Sequence, residues 1–258
     1  LITAEGAAEI TLADDFAATV TGTSATANQI DAIDGATTTL FDISGLTTIT
    51  LADGNDTFDV SAAGLDEGAG AFTITGGTGD DNITGGDNID VITGGAGDDT
   101  LSGGGGADTF IFGSAATNGS DTIIEFVSGT DKLNVDATVT DVVGGALVTH
   151  DATANTSVAT GSIVNLAAAA VVADAAAAAA LFVQDDDDDT STGLGMELDD
   201  GATIILVSQD DNAGVGTDYD AKVFAVTSNV DGSAITAVLI ATLDNAADSS
   251  VLTYADFI

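Results

Sequence analysis

Aspartate recurs at every ninth position through residues 81–108, as Asp81, Asp90, Asp99 and Asp108, and each stands in a glycine-rich unit. The units GGTGDDNIT, GGDNIDVIT, GGAGDDTLS and GGGGADTFI follow one another without a gap from residue 76 to 111. Glycine can take backbone angles closed to other residues and leaves its carbonyl free to face a cation. Carboxylates and backbone carbonyls together make an all-oxygen donor set, which suits calcium better than zinc or copper. The chemistry this spacing can perform is therefore the binding of a hard divalent ion.

Position requires regular elements between the turns. The eighth residue of each unit is apolar (Ile83, Ile92, Leu101, Phe110) and predicts one buried side chain on a short strand. Two units make one coil of a flattened solenoid, so equivalent turns stack two units apart. That pairs Asp81 with Asp99 on one edge and Asp90 with Asp108 on the other. The predicted metal-binding glycines are Gly77 and Gly79, Gly86, Gly95 and Gly97, and Gly104 and Gly106. In the second unit Asn88 replaces glycine; asparagine tolerates a left-handed backbone better than most residues, so a usable turn is expected there. The shorter core G-x-D-x-U recurs as GNDTF, GSDTI and GTDKL, which adds Asp56, Asp121 and Asp131 as candidate ligands.

The pattern G-G-x-G-x-D-x-U-x is known as a parallel β-helix repeat. With the continuation ADTFIFGSAATNGSDTIIEFVSGTDKLNV, residues 76–135 resemble the RTX family of secreted bacterial proteins. The resemblance implies a calcium-dependent β-roll, bound through the Asp carboxylates and the carbonyls near the glycines. It also implies export of the unfolded chain by a type I machine, which places the protein outside the cell or at its surface. The tail LTYADFI resembles the acidic-apolar ends of type I substrates, with Ile258 then the natural C-terminus.

Composition agrees with a cation-dependent fold. Two Lys and no Arg oppose 42 acidic residues, for a formal charge of −40. Such a chain repels itself when compact, and bound divalent ions offset part of that repulsion. Nucleic acid and anionic membranes are poor partners for it. An apolar fraction of 45% against 17% charged residues separates it from a disordered polyanion. There is no Cys and no Pro, and turns must come from Gly, Asp and Asn. No apolar run is long enough to span a bilayer, and no basic region precedes an apolar stretch, so no cleavable secretory signal is expected within these residues, which are either a piece of a longer chain or follow a processed N-terminus.

The expected fold is mainly β: a parallel β-roll with calcium-binding nonapeptide turns, one Ala-rich helix and a small C-terminal sheet. Residues 1–75 read as an irregular β-solenoid, with a β-sandwich as the alternative, and residues 76–135 as the roll. Residues 136–258 read as a C-terminal module with a helix over 166–181, capped by Asn165, and strands over 194–257. The run Asp185–Asp189 reads as a solvated loop, or as a loose calcium site between chains.

Catalysis finds little support. His150 is the only His, and there is no thiol, so nucleophilic chemistry would rest on one imidazole at a strand end. Lys132 and Lys222 offset local acidic charge. No enzymatic activity is expected. The leading reading is an extracellular structural protein, assembling through calcium with copies of itself and with a cell-surface polysaccharide as a further partner. The alternative is the folding and secretion module of a larger secreted adhesin or enzyme.

Overall fold

The computed structural model describes residues 9–12, 18–21, 24–26, 41–43, 46–61, 65–66, 68, 70–135, 148–150, 157–158, 162–166, 172–184, 196–198, 203–210, 220–229, 234–244, 252 and 254–258. The run Asp185–Asp189 lies outside them, and so does most of residues 1–40. The chain divides into two compact units, Leu1–Ile111 and Phe112–Ile258. The division falls inside the stretch 76–135 that the motif pattern groups together.

The first unit is a stack of parallel coils. Its strands are β1 (Glu9–Leu12), β2 (Ala18–Thr21), β3 (Ser24–Thr26), β4 (Phe41–Asp42), β5 (Thr48–Thr50), β6 (Thr57–Asp59), β7 (Leu65–Asp66), β8 (Thr73–Thr78), β9 (Asn82–Thr84), β10 (Val91–Ala96), β11 (Thr100–Ser102) and β12 (Thr109–Ile111). Among its described strands only β1 and β2 pair antiparallel; β2, β4 and β7 follow in parallel. One face of the roll runs β12-β10-β8-β5-β3 and the other β11-β9-β6. Register sets Ile49 against Ile74, Ile74 against Ile92 and Ile92 against Phe110. On the other face Phe58 meets Ile83, and Ile83 meets Leu101. All of these are buried. One apolar residue per short strand builds the core because side chains alternate across the pleat.

Residues 48–50 and 57–59 pair in parallel with strands of the repeat stretch. The coil there is longer, since Thr48 pairs with Thr73 whereas Thr73 pairs with Val91. The additional residues hold β7, which pairs with β4.

The second unit contains β13 (Asp121–Ile124), β14 (Lys132–Asn134), β15 (Val148–His150), β16 (Ser157–Val158), β17 (Ile163–Leu166), α1 (Ala175–Ala179), β18 (Phe182–Gln184), β19 (Met196–Leu198), β20 (Thr203–Asp210), β21 (Asp220–Ser228) and β22 (Ile235–Asp244). A sheet in the order β15-β17-β20-β21-β22-β13 carries the antiparallel meander β20–β21–β22, and β16-β19-β18 form a smaller sheet. The core joins Val164, Ala178, Leu206, Phe224 and Val226, with α1 packed on β21 and β22. Its alanines let the helix approach the sheet closely.

Two expectations are corrected here. The helix spans Ala175–Ala179 only, and its N-cap is Asp174, whose carboxylate accepts from Ala177 N. Alanine propensity does not extend it to 166, because Asn165 and Leu166 are committed to β17, where His150 pairs with Leu166. Residues 167–171 of the expected span lie outside those described. The tail 251–257 is not a continuous strand either: Tyr254–Asp256 is a 3-10 turn, and only Phe257 bridges to Leu133. Asp256 is buried there, accepting from Gly129 N at 2.7 Å and Ser128 Oγ at 3.0 Å, with Lys132 Nζ at 3.7 Å. Lys222 donates to the Ala173 carbonyl. No helix among the described residues is long and apolar enough to cross a membrane.

Candidate metal centre

Parallel register brings the repeat aspartates into two rows. On one edge, Asp56 N donates to Asp81 Oδ1 at 2.9 Å, and Asp81 N donates to Asp99 Oδ1 at 2.8 Å. On the other, Phe72 N donates to Asp90 Oδ1 and Asp90 N to Asp108 Oδ1, both at 2.8 Å. Each carboxylate thus reaches back to the amide of the preceding coil, as the two-unit spacing predicts for Asp81 with Asp99 and Asp90 with Asp108. These four aspartates are at most 2% exposed.

A counter-running ladder lies beside the first row and escaped the sequence reading. Asp80 N donates to Asn55 Oδ1, and Asp98 N donates to Asp80 Oδ1, both at 3.0 Å. The fifth residue of a unit reaches one way along the stack and the sixth the other way. The doubled Asp-Asp in GGTGDDNIT and GGAGDDTLS was the available signal.

The first glycine of each unit stands against the repeat carboxylate. A Cβ on Gly76 would run into Gly94 O and Asp81 Oδ2, and one on Gly94 into Asp99 Oδ2. The same holds for Gly85 with Asp90 and Gly103 with Asp108. At Gly76 and Gly85 a carboxylate oxygen and a carbonyl from the next coil converge where a side chain would otherwise stand. The predicted residues Gly77, Gly79, Gly95, Gly97, Gly104 and Gly106 all have positive φ, but Gly86 and Asn88 do not. Asn88 thus does not take a left-handed backbone, although a turn of the kind expected there still closes. That turn closes instead through Gly86 N, which donates to Asp90 Oδ2 at 2.9 Å.

Among the described residues no three acidic or His side chains converge on one point. The donor set is mixed, with carboxylates from adjacent coils beside backbone carbonyls. Two buried oxygens, Asp56 Oδ2 and Asp81 Oδ2, accept no hydrogen bond. Such oxygens are costly to bury unless a cation or donor meets them. Calcium, a hard ion with flexible oxygen coordination, fits this set. Asp121 and Asp131 differ: Asn118 Nδ2 donates to Asp121 Oδ2 at 2.8 Å, and Val127 N donates to Asp131 Oδ2 at 2.7 Å. Protein donors stand at those two carboxylates.

Burial raises the carboxyl of Asp81, with the charges of Asp56 and Asp80 adding and the Asp56 amide opposing. Asp99 is pushed up to about 6, chiefly by burial, against the Asp81 amide and with Asp81, Asp80 and Asp98 as like-charged neighbours. A group raised in the folded state gives stability that is full below its ordinary value of 3.8 and lost as pH rises through about 6. The chain in chelator is thus expected to melt at lower temperature at pH 7 than at pH 5. With calcium the trend should reverse, because the ion requires ionised carboxylates. Thermal melts at both pH values, with and without calcium, check both halves; a chelated melt indifferent to pH would contradict the burial effect.

Residues 75–110 match the RTX calcium-binding nonapeptide repeat, in four copies. Among solved structures, the chain is similar to the AlgE6R3 subunit of the Azotobacter vinelandii mannuronan C5-epimerase, with 20% identity and a TM-score of 0.41 over 80% of this chain and 78% of that one. No curated protein matches the chain.

Proposed function

We propose that this chain, whose residues 75–110 are RTX calcium-binding repeats, is an extracellular structural protein that folds and assembles with its own copies when calcium binds. The observation that carries the proposal is the stacked acidic edge, where Asp81 is buried with Oδ2 unsatisfied in a chain of net charge −40. At low calcium the carboxylates repel one another along the stack and weaken the closed coils. Where calcium is plentiful, the ion neutralises each row and permits the coils to close. A site filled at about 100 times its dissociation constant adds roughly 2.7 kcal/mol to folding, so a few sites decide the state of the chain.

The same ion serves between copies. A surface this acidic cannot pack against itself unless facing carboxylates share cations. Layers, filaments or a matrix at the cell surface, alone or with an acidic polysaccharide, are the assemblies this chemistry favours. Negative-stain electron microscopy of the purified chain, in millimolar calcium and again in chelator, tests it. Sheets or filaments that vanish on chelation are expected. Single particles in both conditions would overturn self-assembly and favour a folding and secretion module of a larger secreted protein.

A further inference from the structure

The two acidic rows are not equivalent. In the first, Asp81 is buried, its Oδ1 accepts the Asp56 amide, and its Oδ2 is left without a donor, as is that of Asp56. In the second, both oxygens of Asp90 already accept backbone amides, Oδ1 from Phe72 and Oδ2 from Gly86. At its first coil the second row has Phe72 where the first row has Asp56.

We infer that the row Asp56–Asp81–Asp99 takes calcium ahead of the row Asp90–Asp108, and that its outermost site lies between turns 51–56 and 76–81. This rests on the calcium-coupled folding proposed above and extends the binding row one coil ahead of the matched repeats. An unsatisfied buried carboxylate oxygen gains a partner when a cation arrives and gives up nothing. At Asp90 the cation must first displace the Gly86 amide, and the turn must rebuild at Asn88.

The added turn is built to stack. Gly54 N donates to Thr78 O at 2.6 Å, Asp80 N to Asn55 Oδ1 at 3.0 Å, and Thr78 Oγ1 to Asp53 Oδ1 at 3.1 Å. It departs from the repeat at Leu51 and Ala52 yet keeps Gly54 at φ +117°, as Gly79 has φ +112°. Asp53, Asn55 and Asp56 thereby join Asp80 and Asp81 as an oxygen-rich pair of turns.

The test is a calcium titration of the full chain by calorimetry, for the natural sequence and for Asp56→Asn, Asp81→Asn and Asp90→Asn. Two phases are expected. Asp56→Asn and Asp81→Asn should weaken the tighter phase at least about tenfold, while Asp90→Asn weakens only the later one. Amide NMR of the unsubstituted chain gives a readout that survives misfolding of any variant: the Asp56, Asp80 and Asp81 amides should respond at lower calcium than those of Phe72, Gly86 and Asp90. The opposite order, simultaneous response, or a tighter phase untouched by Asp56→Asn overturns the inference and leaves calcium-coupled folding standing. Absence of any calcium response would remove both.

Discussion

Replacing Gly95 with Ala is expected to destabilise the calcium-loaded roll far more than the same change at Gly54. Both glycines have positive φ, +118° and +117°, so each substitution forces an L residue into a sparsely populated backbone region at about 1–3 kcal/mol. The surroundings then separate them. Nothing lies within 4 Å of a Cβ built on Gly54. A Cβ on Gly95 would collide with Gly77 O and sit 2.9 Å from Gly77 N, in the turn of the preceding coil. That backbone is fixed by its own ladder, so overpacking adds about 1–3 kcal/mol more. Urea unfolding of both variants in millimolar calcium measures the difference. Equal losses would mean that coil stacking yields easily, contrary to the close approach of the turns.

Asp99→Asn is expected to change sign with the metal. At neutral pH in chelator, the ionised Asp99 is disfavoured by burial and by the charges of Asp81, Asp80 and Asp98. Asparagine keeps an oxygen for the Asp81 amide and removes the charge, so the chelated variant should melt above the natural chain. In saturating calcium the variant has lost an anionic ligand and should melt below it, by roughly 2.7 kcal/mol if one site held at about 100 times its dissociation constant is lost. Paired melts in chelator and calcium provide the measurement. A variant less stable in both conditions would show Asp99 to be a structural hydrogen-bond acceptor alone.

Much of the roll was legible from residue order. A nine-residue period with glycine, aspartate and an apolar residue at set places specifies turn, ligand and core together, and a coil of two units then dictates the partners of Asp81, Asp90, Asp99 and Asp108. Asp81 on Asp99 and Ile83 on Leu101 follow without further information, because each coil meets a near copy of itself. The same periodicity hid its exceptions. Asn88 occupies a glycine position without a glycine's left-handed backbone; the Gly86 amide bound to Asp90 Oδ2 closes that turn. Asp121 carries the motif, yet a side chain three residues away, Asn118, supplies its donor.

Outside the repeats, local preference had less to say. An alanine run favours helix anywhere along its length, so the start was decided by what claimed its neighbours. β17 draws Asn165 and Leu166 into a sheet, and Asp174 caps what remains. The buried Asp256 depends on Ser128, Gly129 and Lys132, all far away in sequence. Sequence by itself determined the repeat, its 18-residue pairing in the regular coils and the oxygen chemistry of its edges, since periodic stacking makes distant contacts repeat local ones. Only the tertiary structure decided which carboxylate oxygens are left unsatisfied and where the helix begins. Those outcomes turn on single donors and strand partners that no period encodes.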